Sequence, residues 1–341
     1  MKSTSPVDPF RPTEANISSE DLIQSQDILR KLQQSLAKDL VGQDKLVTIL
    51  LIGLLANGHV LLESASGLAK STTVRVLANL VGGSFSDLHC TLDLTIADVM
   101  GSRVFDQAKR TYEAQLGPAF VNFLVLSDFN QAPAKVQSAC LTLLEQRQIV
   151  MEQMVYRTPK VFFTVATQQP VESEQTNALT TPQLDRFYLK ERLNYPTIAE
   201  EVNILNHVER ASDEFKPVIR LEQVDYLQNL TKSVYVSELA KRYIAELVLA
   251  TRSPEKYITS DLLEYIKFGA SPRASVALMN CSKALALISG HTYVTPHDIQ
   301  ALRYVVFRHR IGLDFSAFSD GVPVEQIIDT LFSAVPIPSN S

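Results

Sequence analysis

The stretch SASGLAKS at residues 64–71 holds the residues best suited to chemistry in this chain. Against the phosphate-loop pattern G-x-x-x-x-G-K-[ST] it keeps Lys70 and Ser71, and puts Ser64 and Ala69 where the pattern has glycine. The apolar run HVLLE at 59–63 reads as a strand, and the segment from Lys70 as a helix. That order aims the backbone N–H groups of Ser66, Gly67, Leu68 and Ala69 and the helix start at Lys70, Ser71 and Thr72 toward a phosphate. Lys70 would reach terminal oxygens and Ser71 a Mg²⁺ ion. Both replacements are small: Ser64 adds a hydroxyl that can bond locally, and Ala69 matters only where the backbone needs positive φ or the closest approach. Taken alone, the segment suits an ordinary helix start equally well.

A second feature is the apolar run FLVLS at 123–127, which reads as a strand and is followed directly by the carboxylate of Asp128. Other chemistries find little support. The six histidines show no H-x-x-x-H pairing, and His89 and Cys90 would point to opposite faces of a strand. Cys90, Cys140 and Cys281 are odd in number and far apart, which suits neither a disulfide framework nor a C-x-x-C metal site and implies a reducing compartment. No G-x-S-x-G elbow is present. The cluster Arg303, Arg308, His309 and Arg310 reads as a solvated face or interdomain contacts rather than a nucleic-acid patch.

These residues need a scaffold, and the length of 341 residues favours two packed units over one. With 45% hydrophobic and 20% charged residues the chain is globular. Its net charge of −5 leaves no surplus to neutralise a phosphate backbone, so nucleic acid is not expected as a partner. The longest apolar stretch, residues 46–56, is about half the ~20 residues of a spanning helix, so no membrane span is expected. The first 18 residues lack the apolar core of a secretory signal and read as a loose tail.

Short apolar runs at 59–63, 84–90, 123–127 and 161–166 alternate with helical patterns, among them 70–80 and 133–146. This predicts an α/β domain with a parallel sheet flanked by helices. Residues 101–115 and 148–157 alternate like exposed hairpins inserted on that sheet. Beyond Pro196 helical periods take over, at 198–208, 221–230, 237–251, 273–289, 296–307 and 324–331. The expected organisation is a tail at 1–18, an α/β domain at 19–194, an all-helical domain at 195–335 and a short tail at 336–341.

From residue 41 to 310 the succession of segments resembles the MoxR family of AAA+ ATPases. The blocks that carry the resemblance are GHVLLE (58–63), GPAF (117–120), NQAP (130–133) with Lys135 and QSA (137–139), QRQ (146–148), FFTVATQ (162–168), QLDRF (183–187), GASPRA (269–274) and YVTP (293–296). The resemblance implies a P-loop AAA+ core with a helical lid, binding ATP and Mg²⁺. Val41, Gly42 and Gln43 would border the adenine, Asp128 and Ser71 would hold the metal, and Arg186 would be the finger presented to a neighbouring subunit. Arg273 would be the lid arginine sensing the γ-phosphate. Each arginine also has a plain reading: Arg186 as a solvated guanidinium beside a core ring, Arg273 as a surface charge near a helix start. The family further implies a cytoplasmic, head-to-tail hexameric ring of identical subunits or one mixed with a paralogue. It would be a chaperone-like remodeller whose partner carries a von Willebrand factor A domain.

Departures from the family pattern bear on turnover. Phe129 stands where the resemblance puts the catalytic glutamate, Gln169 where it puts a sensor asparagine, and Gln131 where it puts an arginine. A ring in place of the water-orienting carboxylate implies ATP binding with impaired hydrolysis, as in a regulatory subunit. The alternative is an active ATPase that borrows a carboxylate from elsewhere, such as Glu145 or Glu172, to drive partner remodelling.

Overall fold

The computed structural model describes residues 10–12, 16–40, 42–64, 67–107, 110–151, 154–169, 179–208, 216–258 and 261–338. Up to residue 192 helices and strands alternate: α1 (Ser19–Asp39), α2 (Asp44–Leu55), β1 (Val60–Glu63), α3 (Lys70–Leu80), β2 (Phe85–His89), α4 (Ile96–Met100), β3 (Gly101–Asp106), β4 (Thr111–Leu116), β5 (Phe123–Ser127), α5 (Ala134–Gln146), β6 (Gln148–Met151), β7 (Met154–Arg157), β8 (Phe163–Gln168), α6 (Thr181–Leu184) and β9 (Leu189–Arg192). Helices then dominate: α7 (Ile198–Val208), α8 (Leu221–Ser233), α9 (Glu238–Arg252), β10 (Ile266–Phe268), α10 (Pro272–Ile288), α11 (Pro296–Ala301), α12 (Arg303–Phe307), β11 (Gly312–Leu313), α13 (Phe315–Ser319) and α14 (Val324–Ala334). Among the described residues no helix is long and apolar enough to cross a membrane.

The chain separates into two compact, discontinuous units. One comprises residues 30–187 and 191–225, the other residues 1–29, 188–190 and 226–341.

Strands β2, β5, β8 and β1 of the first unit belong to a five-stranded sheet in the order β2-β5-β8-β1-β9. The pairs β2·β5, β5·β8 and β8·β1 are parallel, with Phe85 opposite Phe123, Val125 opposite Val165 and Val60 opposite Val165. Strand β8 is buried along its whole length and β5 along all but its last residue. Helices on both faces explain why these strands read as continuous apolar runs and not as alternating ones. Helix α2 lies close on the sheet: a Cβ at Gly53 would stand 2.6 Å from Val60 Cγ2, so only glycine permits that approach. The two inserted hairpins form as expected, β3 with β4 and β6 with β7.

The second unit packs α9, α10 and α14 around Tyr243, Leu278 and Ile328, all buried. The stretch 296–307, expected as one helix, breaks at Leu302, whose φ of −95° and ψ of 3° end α11 and begin α12. A small antiparallel pair, β10·β11, also forms where only helices were expected. The late arginines are held inside this unit. Arg303 pairs with Asp329 at 2.9 Å, Arg308 with Glu325 at 2.6 Å, and the buried Arg310 donates to the carbonyls of Tyr188 and Val306.

Candidate nucleotide-binding site

Strand β1 stops at Glu63 and helix α3 starts at Lys70, so residues 64–69 must reverse the chain in one short loop. Gly67 at φ 87° and Ala69 at φ 50° make that turn in left-handed geometry. A Cβ at Gly67 would meet nothing within 4 Å, so this glycine serves the backbone conformation. Ala69 adopts the same region with a side chain, at a cost of roughly 1–2 kcal/mol. Val41 and Ser66 lie outside the described residues.

The Nζ of Lys70 donates to the Ser64 hydroxyl at 2.6 Å. Ser64 is therefore more than a tolerated substitute for glycine: its hydroxyl folds the ammonium back over the loop. Burial pushes the Lys70 pKa down, and the carboxylate of Asp128 opposes that shift. The charge pair expected at one site is thus brought together from α3 and the end of β5.

Ser71 Oγ lies 3.3 Å from Ser127 Oγ, and the Ser127 hydroxyl donates to Asp87 Oδ1 at 2.7 Å. Thr72 is exposed on the first turn of α3. The next residue, Thr73, is buried and bonds both the Ala69 carbonyl, at 3.0 Å, and the side chain of Gln43. That contact fixes Gln43, and with it Gly42 at φ 76°, against the start of α3. Leu68 is half-buried.

Asp128 sits at φ 54° and ψ 46°, and its N–H donates to Thr167 Oγ1 at 2.9 Å. The left-handed residue ends β5 abruptly, and the Asp128 carboxylate lies 4.0 Å from His89 Nδ1. This turn decides the fate of Phe129. Its ring is fully buried in the core cluster with Leu126, Val136, Cys140, Phe162 and Phe187. The expectation that it fills the place of a water-orienting carboxylate is corrected accordingly. A residue at 129 faces the core, and the strand end presents Ser127 and Asp128 instead. Gln169 and Asn130 clasp each other through Gln169 N–H to Asn130 Oδ1 and Asn130 Nδ2 to the Gln169 carbonyl, both at 3.4 Å.

Arg186 follows α6, with Nη1 3.5 Å from Glu145 Oε2. Glu172, the other carboxylate considered as a substitute base, lies outside the described residues. Arg273 is exposed on the first turn of α10 in the helical unit, where its N–H donates to the capping Ser271 hydroxyl at 3.1 Å.

Sequence reasoning missed several polar residues at the carboxyl ends of the strands. Glu63 accepts from Gln168 at 2.6 Å and from Arg192 at 2.8 Å, and Asp87 reaches Ser127. Glu63 and Gln168 were detectable in principle, as the last residues of adjacent strands where α/β sheets bind ligands. The three thiols are buried, and burial pushes Cys90 and Cys281 up to about 12, so none is a nucleophile.

The donor set fits a polyphosphate with a hard cation. Lys70, the Ser71 hydroxyl and the amides opening α3 suit phosphate oxygens. Among the described residues no three His, Cys, Asp or Glu side chains converge on a metal position. A cation here would rest on Asp128, Ser71 and the ligand's own phosphates, which is how Mg²⁺ is usually held.

Comparison with known proteins agrees with this geometry. Residues 59–189 match the model of the ATPase family associated with various cellular activities (AAA), and residues 261–331 match the AAA lid domain. Chaperone MoxR1 of Mycobacterium tuberculosis is 36% identical over 299 residues, spanning 88% of this chain and 79% of the relative. Protein MoxR of Paracoccus denitrificans is 27% identical, spanning 91% and 96%. The crystal structure of a Cytophaga hutchinsonii ATPase candidate superposes with a TM-score of 0.88 at 34% identity, covering 94% of this chain and 98% of that one. A parallel sheet with its phosphate loop, a lid match and relatives of this similarity over nearly the whole chain together show that the protein belongs to the MoxR family of AAA+ ATPases.

Proposed function

We propose that this chain binds ATP with Mg²⁺ and hydrolyses it slowly, as a cytoplasmic chaperone-like or regulatory subunit of a closed ring. The observation that supports this reading is that Lys70 and Ser71 open α3 with the Ser71 hydroxyl 3.3 Å from that of Ser127, the last residue of β5 and the one before Asp128. Lys70 and the start of α3 would hold the phosphates; Ser71 and Asp128 would hold the cation, which supplies charge neutralisation at the phosphates when bound. Hydrolysis also needs a group that orients the attacking water, worth typically 10²–10⁴ in rate. Asp128 is one carboxylate for two tasks, while Ser127, Gln131 and Gln169 are uncharged and Glu145 faces Arg186. The domain limits 19–194 and 195–335 separate the ATP-binding and lid segments in this reading, with Arg273 as the lid's phosphate sensor.

Several elements rest on family membership. Arg186 would complete a neighbour's site in a hexameric ring, either homomeric or shared with a paralogue, and the remodelled partner would carry a von Willebrand factor A domain. The chaperone role is suggested by the name of the mycobacterial relative.

One observation favours a second reading, an active ATPase. The left-handed turn at Asp128 sets its carboxylate 4.0 Å from His89 Nδ1, outside the apolar core, a position from which it could itself orient water. Steady-state ATP turnover measured beside ATP affinity separates the two. Tight binding with turnover far below about 1 s⁻¹, the low end of ordinary enzyme rates, supports the slow subunit. An ordinary rate that vanishes in Asp128→Asn supports the active enzyme. No binding in the wild type, or equal binding in Lys70→Ala, overturns both.

A further inference from the structure

Strand β5 ends on a serine, and its nearest carboxylate partner comes from the edge strand β2. Asp87 stands opposite Val125 in the β2·β5 register, and Ser127 stands opposite His89. The exposed Asp87 therefore reaches diagonally along the ladder to Ser127, at 2.7 Å. Its carboxylate has no proton to give, so the Ser127 hydroxyl is the donor. That uses the only proton of Ser127. At 3.3 Å from Ser71 its oxygen is then left as the acceptor, and the Ser71 hydroxyl must donate. The chain of bonds runs one way, from Ser71 to Ser127 to Asp87. With its proton turned toward Ser127, the Ser71 oxygen has its lone pairs turned away from β5. The terminal negative charge polarises both hydroxyls in the same sense.

We propose that Asp87 is a positioning residue for the divalent cation: through Ser127 it orients and polarises the Ser71 hydroxyl as a cation ligand. The negative charge that the Ser127 side chain lacks is supplied by the neighbouring strand. This rests on the nucleotide-binding reading above. It assigns Asp87 no contact with the nucleotide, so its influence is confined to binding that depends on the cation.

The test is calorimetric ATP affinity of the full chain in EDTA and in saturating Mg²⁺, for the wild type, Asp87→Asn, Ser127→Ala, the double variant, and Ser127→Asp combined with Asp87→Asn. Asparagine keeps an acceptor for Ser127 and removes the charge. The expected result is a gain in affinity on adding Mg²⁺ that falls about five- to tenfold in Asp87→Asn and in Ser127→Ala, the scale of one ordinary hydrogen bond, because Asp87 acts through Ser127 and not on the cation itself. EDTA affinity and thermal midpoint should stay close to wild type, because Asp87 is exposed. The double variant should be no worse than either single, as members of one chain are not additive. Placing the carboxylate directly on β5 in Ser127→Asp/Asp87→Asn should restore the gain. A folded Asp87→Asn that keeps the full gain overturns the relay and leaves nucleotide binding standing. An Asp87→Asn that only lowers the thermal midpoint shows a bond that merely pins β2 to β5, and also overturns it. A wild type that binds no ATP under either condition overturns the nucleotide reading and the relay with it.

Discussion

The guanidinium of Arg186 and the carboxylate of Glu145 face each other at 3.5 Å, so a candidate finger and a candidate substitute base are partners within one chain. Both side chains are partly exposed, 30% for Arg186 and 42% for Glu145, and an ion pair of that kind contributes at most about 1 kcal/mol. Such a pair holds Arg186 in place without committing it, and a stronger anion could displace Glu145. Arg186→Ala should leave the thermal midpoint within a few degrees of wild type and abolish ATP-dependent assembly in sedimentation. Glu145→Gln should leave turnover unchanged; a loss of 10²-fold or more would make Glu145 the base after all.

Removing the Lys70 ammonium should weaken ATP affinity at least tenfold, since charge-assisted bonds to phosphate are worth about 1.5–3 kcal/mol each. Ser64→Ala should have a smaller effect of the same sign. It frees the Nζ that Ser64 now holds at 2.6 Å and so costs order in the ammonium without removing its charge. Calorimetric titration of the three proteins gives the ranking directly.

Phe129→Glu should not create an ATPase. The ring is fully buried among apolar side chains, so the substitution loses up to ~3 kcal/mol of apolar burial and adds the larger cost of an unpaired carboxylate in the core. Chemical denaturation should show a loss of roughly 4 kcal/mol or more. A stable Phe129→Glu with raised turnover would mean that residue 129 faces the nucleotide.

Acid sensitivity should trace in part to His59. Its Nδ1 accepts from Thr164 N–H at 3.1 Å and its Nε2 donates to the Leu144 carbonyl at 3.1 Å, so the buried ring is neutral. Burial, reinforced by the charge of Arg147, pulls its pKa down to about 3 from 6.5. The unfolded chain takes up the proton near 6.5 while the folded one refuses it until about 3. Stability is therefore complete above pH 6.5 and is lost as pH falls through this window, by up to about 1.4 kcal/mol per unit. Denaturation midpoints between pH 6.5 and 5 should slope less in His59→Gln, although that variant starts less stable at pH 7.

What the sequence determined by itself is whatever one segment encodes. The continuous apolar runs of β1, β5 and β8 announce a buried parallel sheet, the alternating segments announce the two hairpins, and Lys70-Ser71 after β1 announces a helix start that suits a phosphate, because each signal is a local periodicity or a fixed spacing. What only the tertiary structure decided is where side chains point once the backbone leaves those periods, and which strands are neighbours. The left-handed turn at Asp128 sends Phe129 into the core, although a strand continued by two residues would have set it on the face of Ser127. Strand β9 escaped notice because LKER at 189–192 has one apolar residue in four, although Lys190 and Glu191 are buried in the structure. Asp87, Ser127 and Ser71 lie on β2, β5 and α3, more than fifty residues apart at the extremes. They meet because the sheet order β2-β5-β8-β1-β9 sets β5 beside β2 and not beside its chain neighbours. Strand order is fixed by the packing of helices across both faces of the sheet, a global balance that no single segment of the chain records.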